Sequence, residues 1–301
     1  MFHLEVSILV KNALTIDVED WFHATYLGVP EKDWPSCDPW IKSNIHRILD
    51  ILAKEDVKAT FFILGWIAER TPELIQTIAD EGHEIASHSY YHRQVFRQSP
   101  AEFAQDLRLS IESIQSAVDV PILGYRAPAA SIGKDQKWAF EIMVENGILY
   151  DSSILPVRTP LYGVTGLPRF AFQLCEGRIL EIPLSTVDVF NIRFPISGGV
   201  YTRLLPISFT EWAFNRVNVV DGQPIMLYLH PWELDPQPPP LGRNAISRWS
   251  HIVNKGKMEG RFRQLLSRFS FGPVRDVFSV ELDRIKGIRD GKNLEAGIIS
   301  R

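Results

Sequence analysis

The sequence predicts an α/β fold built on a parallel sheet or barrel, and three observations carry that expectation. Apolar runs of strand length alternate with amphipathic helical stretches through the first half of the chain. Some of those runs are continuous rather than alternating, as in strands covered on both faces. Polar residues capable of chemistry stand where the runs end, on the rim where such folds keep their sites.

In chain order, Ala13-Leu14-Thr15-Ile16 is a strand that leads into Asp17-Val18-Glu19-Asp20-Trp21. Ile45, Ile48, Leu49 and Leu52 have helical spacing within 43–55. Residues 57–64 form a continuous apolar strand. Thr71-Pro72-Glu73 opens a helix with a cap and a first-turn proline, and Gly82 closes it. A short strand, 84–87, precedes His88. Ser99-Pro100-Ala101-Glu102 is a capping box opening a helix to about Val118. Strands near 122–126 and 148–151 flank a helix over about 134–146. From 152 to 208 prolines punctuate short strands such as 179–184, and Gly198-Gly199 marks a tight turn. A helix over 209–219, a buried strand over 224–229 ending at His230, and a closing helix over 261–269 complete the pattern. Pro236 to Pro240 reads as a stiff turn without regular structure.

With 301 residues the chain is long enough to bury a full core, and its formal net charge is −4. No basic block points to nucleic acid or anionic lipid, and no apolar run reaches membrane-spanning length. Cys37 and Cys175 match no metal or redox spacing and read as free thiols. The greasy patch Val6 to Val10 lacks a long apolar core and a cleavage site, so the expected location is cytoplasmic. The expected organisation is a barrel over 13–235, an extension over 195–285 and a flexible tail over 286–301.

Four polar clusters sit at predicted strand ends: the acids Asp17, Glu19 and Asp20, the pair His88 and His92, Arg126 in Tyr125-Arg126-Ala127-Pro128, and His230 in Leu229-His230-Pro231-Trp232. Each alone has an ordinary explanation. Acids after a strand are often caps, Arg126 alone would be a surface cation, and His230 a satisfied core histidine. A lone His-x-x-x-His is also common, although on a helical turn both imidazoles would face one ion. Four clusters on consecutive strand tips are hard to assign to chance. Glu233 and Asp235 read as a solvated turn, and Asp151-Ser152-Ser153 as structural.

On these residues the chain resembles the polysaccharide deacetylases of carbohydrate esterase family 4, which share the NodB homology domain. It is most similar to the exopolysaccharide- and exosortase-associated branch, whose first motif has the Asp-Val-Glu-Asp form and which carries its own C-terminal extension. The resemblance implies a distorted (β/α)7 TIM-like barrel and metal-assisted hydrolysis of an N-acetyl amide on a glycan. It implies that Asp17 is the general base, Arg126 its partner, and His230 the general acid. His88 and His92 would bind a divalent metal, Zn2+ first and Co2+, Ni2+ or Mn2+ as alternatives. The third ligand is Asp20 or Glu19, with Asp20 preferred because the chain must turn after the strand tip. A backbone N–H near Ala129, which stands where many members have tyrosine, would help hold the oxyanion. Trp232 would contact the sugar, and Trp21, Tyr90 and Tyr91 are further stacking candidates. The expected partner is an acetylated oligo- or polysaccharide. Two other readings remain: an allantoinase-like hydrolase of a small amide, metal-independent in some members, and a glycan-binding protein on an inactive barrel.

Overall fold

The computed structural model describes residues 10–157, 163–235, 249 and 253–291. Its strands are β1 (Asn12–Val18), β2 (Thr60–Ile63), β3 (Glu84–Ser87), β4 (Gly124–Tyr125), β5 (Tyr150–Asp151), β6 (Phe172–Leu174), β7 (Ile179–Glu181), β8 (Thr186–Val189), β9 (Ile192–Pro195), β10 (Met226–Leu229) and β11 (Phe271–Gly272). The α-helices are α1 (Ile41–Lys54), α2 (Gly65–Arg70), α3 (Pro72–Asp80), α4 (Pro100–Ala117), α5 (Trp138–Glu145), α6 (Gly199–Leu204), α7 (Ile207–Asn215), α8 (Lys255–Arg268), α9 (Val274–Val277) and α10 (Ser279–Arg289). The chain divides into two compact units, 1–60 with 185–273, and 61–184 with 274–301.

In the first unit β1 is the central strand. It pairs in parallel with β10, from Ala13 opposite Met226 to Ile16 opposite Leu229, and in parallel with β11 through Asn12 and Ala13. All seven residues of β1 are buried, as in a strand covered on both faces, the polar Asn12, Thr15 and Asp17 included. Asp17 and His230 therefore stand one step beyond the last pair, at the same end of adjacent strands. Helix α1 buries Ile41, Ile45, Ile48, Leu49 and Leu52, the stripe its spacing predicts. The β8–β9 hairpin turns at Phe190 and Asn191, both with positive φ.

In the second unit the order is β2-β3-β4-β5-β7-β6, parallel from β3 through β7, with β6 antiparallel at the edge. Ser87, Tyr125, Asp151 and Glu181 lie on one line of the register. The next residues along β3, β4 and β5 are His88, Arg126 and Ser152, so one edge of the sheet presents them together. Glycine at 124 has a packing reason. A Cβ there would run into the Tyr150 ring, which crosses β4 so that its hydroxyl donates to Glu84 of β3 at 3.0 Å. Helix α4 carries the predicted capping box: Ser99 Oγ accepts from the Glu102 amide, and the Glu102 carboxylate accepts from the Ser99 amide.

Several boundaries differ from expectation. The helix over 134–146 is a 3-10 turn followed by α5, and 209–219 is α7 followed by a π-helical turn at Arg216–Val220. The closing helix starts earlier, at Lys255. Helix α2, between β2 and α3, has no cap signal in the sequence and was not expected. Residues 286–289 belong to α10; the rest of the expected tail from 292, the N-terminal residues 1–9 and the proline turn at 236–240 lie outside the described residues. No helix among the described residues is long and apolar enough to cross a membrane. Both cysteines are free thiols.

Candidate functional site

The second unit contributes the histidine pair and the arginine. His88 and His92 are not on a helical turn. They lie on a loop in which Ser89 and His92 both adopt positive φ, 68° and 54°. Such backbone costs about 1–3 kcal/mol per residue and persists where the surroundings hold it. Here Asp106 of α4 holds it. Its buried carboxylate accepts from the amides of Tyr90 at 2.9 Å and Tyr91 at 3.1 Å, while Ser89 Oγ accepts from the His92 amide at 2.9 Å. The two rings end 5.1 Å apart between centroids. His88 Nδ1 lies 2.8 Å from the Arg126 carbonyl, which can only accept, so Nδ1 carries the proton and Nε2 the lone pair. A carbonyl that takes the Nδ1 proton fixes the ring's orientation and leaves Nε2 free to bind a metal.

Arg126 is buried, donates to the carbonyl and hydroxyl of Ser152 at 3.1 and 3.0 Å, and lies 4.2 Å above the Phe62 ring. Beneath it Asp151 and Glu181 are wholly buried. Burial pushes both carboxyls up, Glu181 further because the Asp151 charge adds to it, while Arg126 opposes the rise. The Ser153 hydroxyl donates to Asp151 and accepts from the Ala127 amide at 2.7 Å, which ties the Arg-Ala-Pro turn to β5. This confirms Asp151-Ser152-Ser153 as a structural segment. Ala129 and Ala130, just after the turn, sit at φ 54° and 47°.

The first unit contributes the acids and the late histidine. His230 Nε2 lies 3.3 Å from Glu19 Oε1 and 3.9 Å from Asp17 Oδ2. Its Nδ1 lies 3.2 Å from Glu233 Oε2, which also accepts from the His230 amide. Burial opposes a charge on His230, but Glu19, Glu233 and Asp17 together outweigh it and raise its pKa to about 9. Trp232 is buried, stacked on the His230 ring at 5.0 Å, with its indole N–H 3.4 Å from Glu19 Oε1.

Asp20 is engaged otherwise. One oxygen accepts from the Trp21 amide at 2.8 Å, and the other from the Trp40 and Ile41 amides at 2.7 and 3.0 Å. It caps a 3-10 turn and pins the start of α1, while its own amide donates to His23 Nδ1. Burial nevertheless raises its pKa to about 6. Glu233 corrects the reading of a solvated turn, because it is wholly buried and bonded to Arg203 Nε at 2.8 Å. Arg203 and Lys255 were missed by sequence reasoning. Only Arg203 has a signal, its place next to Leu204 and Leu205, whereas Lys255 opens a helix rich in charged residues and has none.

In each unit the polar residues stand at or just past strand tips, where (β/α) folds keep their reacting groups. Comparison with known proteins then adds a family match. Residues 33–143 match the polysaccharide deacetylase family, and residues 152–279 match a domain of unknown function (DUF3473). The chain is 34% identical over 94 residues to a chitooligosaccharide deacetylase of Bradyrhizobium, covering 31% of this chain and 40% of that protein. It is 35% identical over 96 residues to a peptidoglycan-N-acetylglucosamine deacetylase of Bacillus cereus, covering 32% of this chain and 35% of that one. The matches thus span less than half the length of these relatives. A crystal structure from Mycobacterium smegmatis, described among the polysaccharide deacetylases, superposes with a TM-score of 0.59 at 18% identity, covering 92% of this chain and 90% of that one. That likeness shows the fold, the distorted (β/α)7 barrel. Residues 33–143 carry the match to the polysaccharide deacetylase family, and the chain is similar there to relatives named as deacetylases.

Proposed function

We propose that the chain is a metal-dependent hydrolase that removes N-acetyl groups from N-acetylhexosamine units of an oligo- or polysaccharide, with an exopolysaccharide as its setting. The observation that carries this reading is the fixed tautomer of His88, whose Nε2 lone pair stands beside His92 within the stretch that matches the deacetylase family. Glu19, His88 and His92 are each buried and each able to offer one ligand atom. Glu19 is preferred to Asp20 as third ligand because three backbone amides already draw on the Asp20 carboxylate. Two imidazoles and a carboxylate suit zinc and its neighbours. A divalent ion there would lower the pKa of a bound water toward ~7 and polarise the acetyl carbonyl.

The chain's own groups supply the rest. Asp17 takes the proton of the attacking water, with Arg126 assigned as its partner. The amide beyond Pro128, at Ala129, offers a donor to the developing oxyanion. His230 gives its proton to the departing amine, which is a poor leaving group otherwise. Trp232, packed on His230, is assigned to holding that ring rather than to the sugar. The test is acetate release from N-acetylglucosamine oligomers, abolished by chelator and restored by zinc or cobalt. Absence of release from every acetylated glycan tried, with metal present, overturns the reading.

A further inference from the structure

We infer that the segment matching a domain of unknown function supplies a buried scaffold, Arg203 and Glu233 with Lys255 beside them, that orients His230 as the proton donor of the proposed deacetylation. The inference rests on that reading of the reaction but concerns different residues from those it names.

The scaffold begins at Gly198, whose φ of 85° and missing Cβ let the chain lie directly on Tyr228 of β10. The Gly198 amide donates to Thr202 Oγ1 at 2.9 Å and fixes the first turn of α6. One residue on, Arg203 points into the interior with 2% exposure. It donates through Nε to Glu233 Oε1 at 2.8 Å and through Nη1 to the Val253 carbonyl at 3.2 Å. The other Glu233 oxygen receives the His230 amide and faces Nδ1. The opposite ring nitrogen of His230 is directed at Glu19 and Asp17. Lys255, the first residue of α8, is buried with its ammonium 4.8 Å from the centre of the Trp232 ring, and Arg203 lies 5.7 Å from it. Trp232 is in turn stacked on His230 at an interplanar angle of 19°. The imidazole is thus held at one edge by a carboxylate and over one face by an indole, and both supports trace to cations from the same segment.

A buried carboxylate facing Nδ1 requires a proton on that nitrogen, since two acceptors would repel. Nε2 is then the only position from which a second proton can leave. In the step this serves, the water oxygen bonds to the acetyl carbon and the water proton passes to Asp17. The C–N bond breaks as the Nε2 proton of His230 moves to the amine nitrogen. Acetic acid, which then loses its proton to the solvent as acetate, and the free amine result, and His230 keeps its Nδ1 proton facing Glu233. Glu233 and Arg203 are positioning residues, because they touch neither the amide nor the water.

The experiment compares wild type, Glu233→Gln, Glu233→Asp and Arg203→Met on an N-acetylglucosamine oligomer and on 4-nitrophenyl acetate, whose leaving group departs without a proton. The expected result for Glu233→Gln is a kcat on the amide lowered roughly 100-fold or more with KM little changed, and a far smaller fall on the ester. Glu233→Asp should recover part of the amide activity. Equal losses on both substrates, or none on either, overturn the inference. Should the variants fail to fold, a long-range 1H–15N spectrum of the wild-type imidazoles decides: an unprotonated Nδ1 on His230 overturns it. Wild type that cleaves the ester but no acetylated glycan refutes the deacetylase reading instead, and the same spectrum still judges the scaffold.

Discussion

At the scale of single residues, the two adjacent acids Glu19 and Asp20 have opposite tasks although both are buried. Asp20 receives three backbone amides and organises the approach of 21–23 and the start of α1. Glu19 meets the Trp232 indole and His230, both polar groups of the candidate site. Glu19→Gln is therefore expected to lose bound metal while keeping its fold. Asp20→Asn is expected to keep metal and melt earlier, with a loss near the ~1 kcal/mol of a removed cap. Metal content after dialysis and a thermal melt on each variant check both outcomes; metal loss confined to Asp20→Asn would reverse the assignment. The sequence could not separate the two, because their roles depend on residues 40 and 41, and on 230 and 232, which approach only in the folded chain. For the same reason Glu233 reads as a surface acid until Arg203, thirty residues earlier, is seen against it.

At the scale of elements, the positions that carry chemistry were legible because they follow apolar runs, and the runs did form β1, β3, β4 and β10. The capping box at Ser99 marked its helix for local reasons and forms as read, whereas Thr71 before Pro72 makes no cap bond, because its hydroxyl donates to the Ile67 carbonyl of α2. The His88 to His92 stretch was legible as a motif but not as a conformation. Its spacing suits a helical turn, yet Asp106 from α4 holds it as a left-handed loop. The length of β4 was likewise illegible, since only Gly124 and Tyr125 pair, and the reason for glycine lies in the ring of Tyr150. Replacing Gly124 by Ala must push that ring aside and part its hydroxyl from Glu84. Overpacking of this kind typically costs about 1–3 kcal/mol, read as a lower denaturation midpoint at unchanged slope. A midpoint equal to wild type would show that Tyr150 has room to move.

At the scale of the whole molecule, buried ion pairs set the response to acid. Arg203 and His230 outweigh the burial penalty on Glu233 and hold its pKa at about 2, against an ordinary value of 4.5. A carboxyl depressed in this way contributes stability that is fully present above 4.5. The contribution is lost as pH falls toward 2, because the unfolded chain binds the proton first. Thermal midpoints of wild type should accordingly fall across that window. Glu233→Gln should start lower, since it leaves Arg203 without its charge partner, and should decline less steeply. Parallel curves for the two proteins would exclude Glu233 as a source of acid sensitivity.

The pairing of β1 has a consequence for how the chain acquires its structure. In its own unit, β1 pairs with Met226–Leu229 and, through Asn12 and Ala13, with Phe271–Gly272. These two partners lie more than two hundred residues further along the sequence, whereas the stretch 61–184 is contiguous and closes over shorter spans. The contiguous unit can thus condense before the β10 flank of β1 is covered, which leaves that flank of a buried strand open to wrong pairing in the meantime.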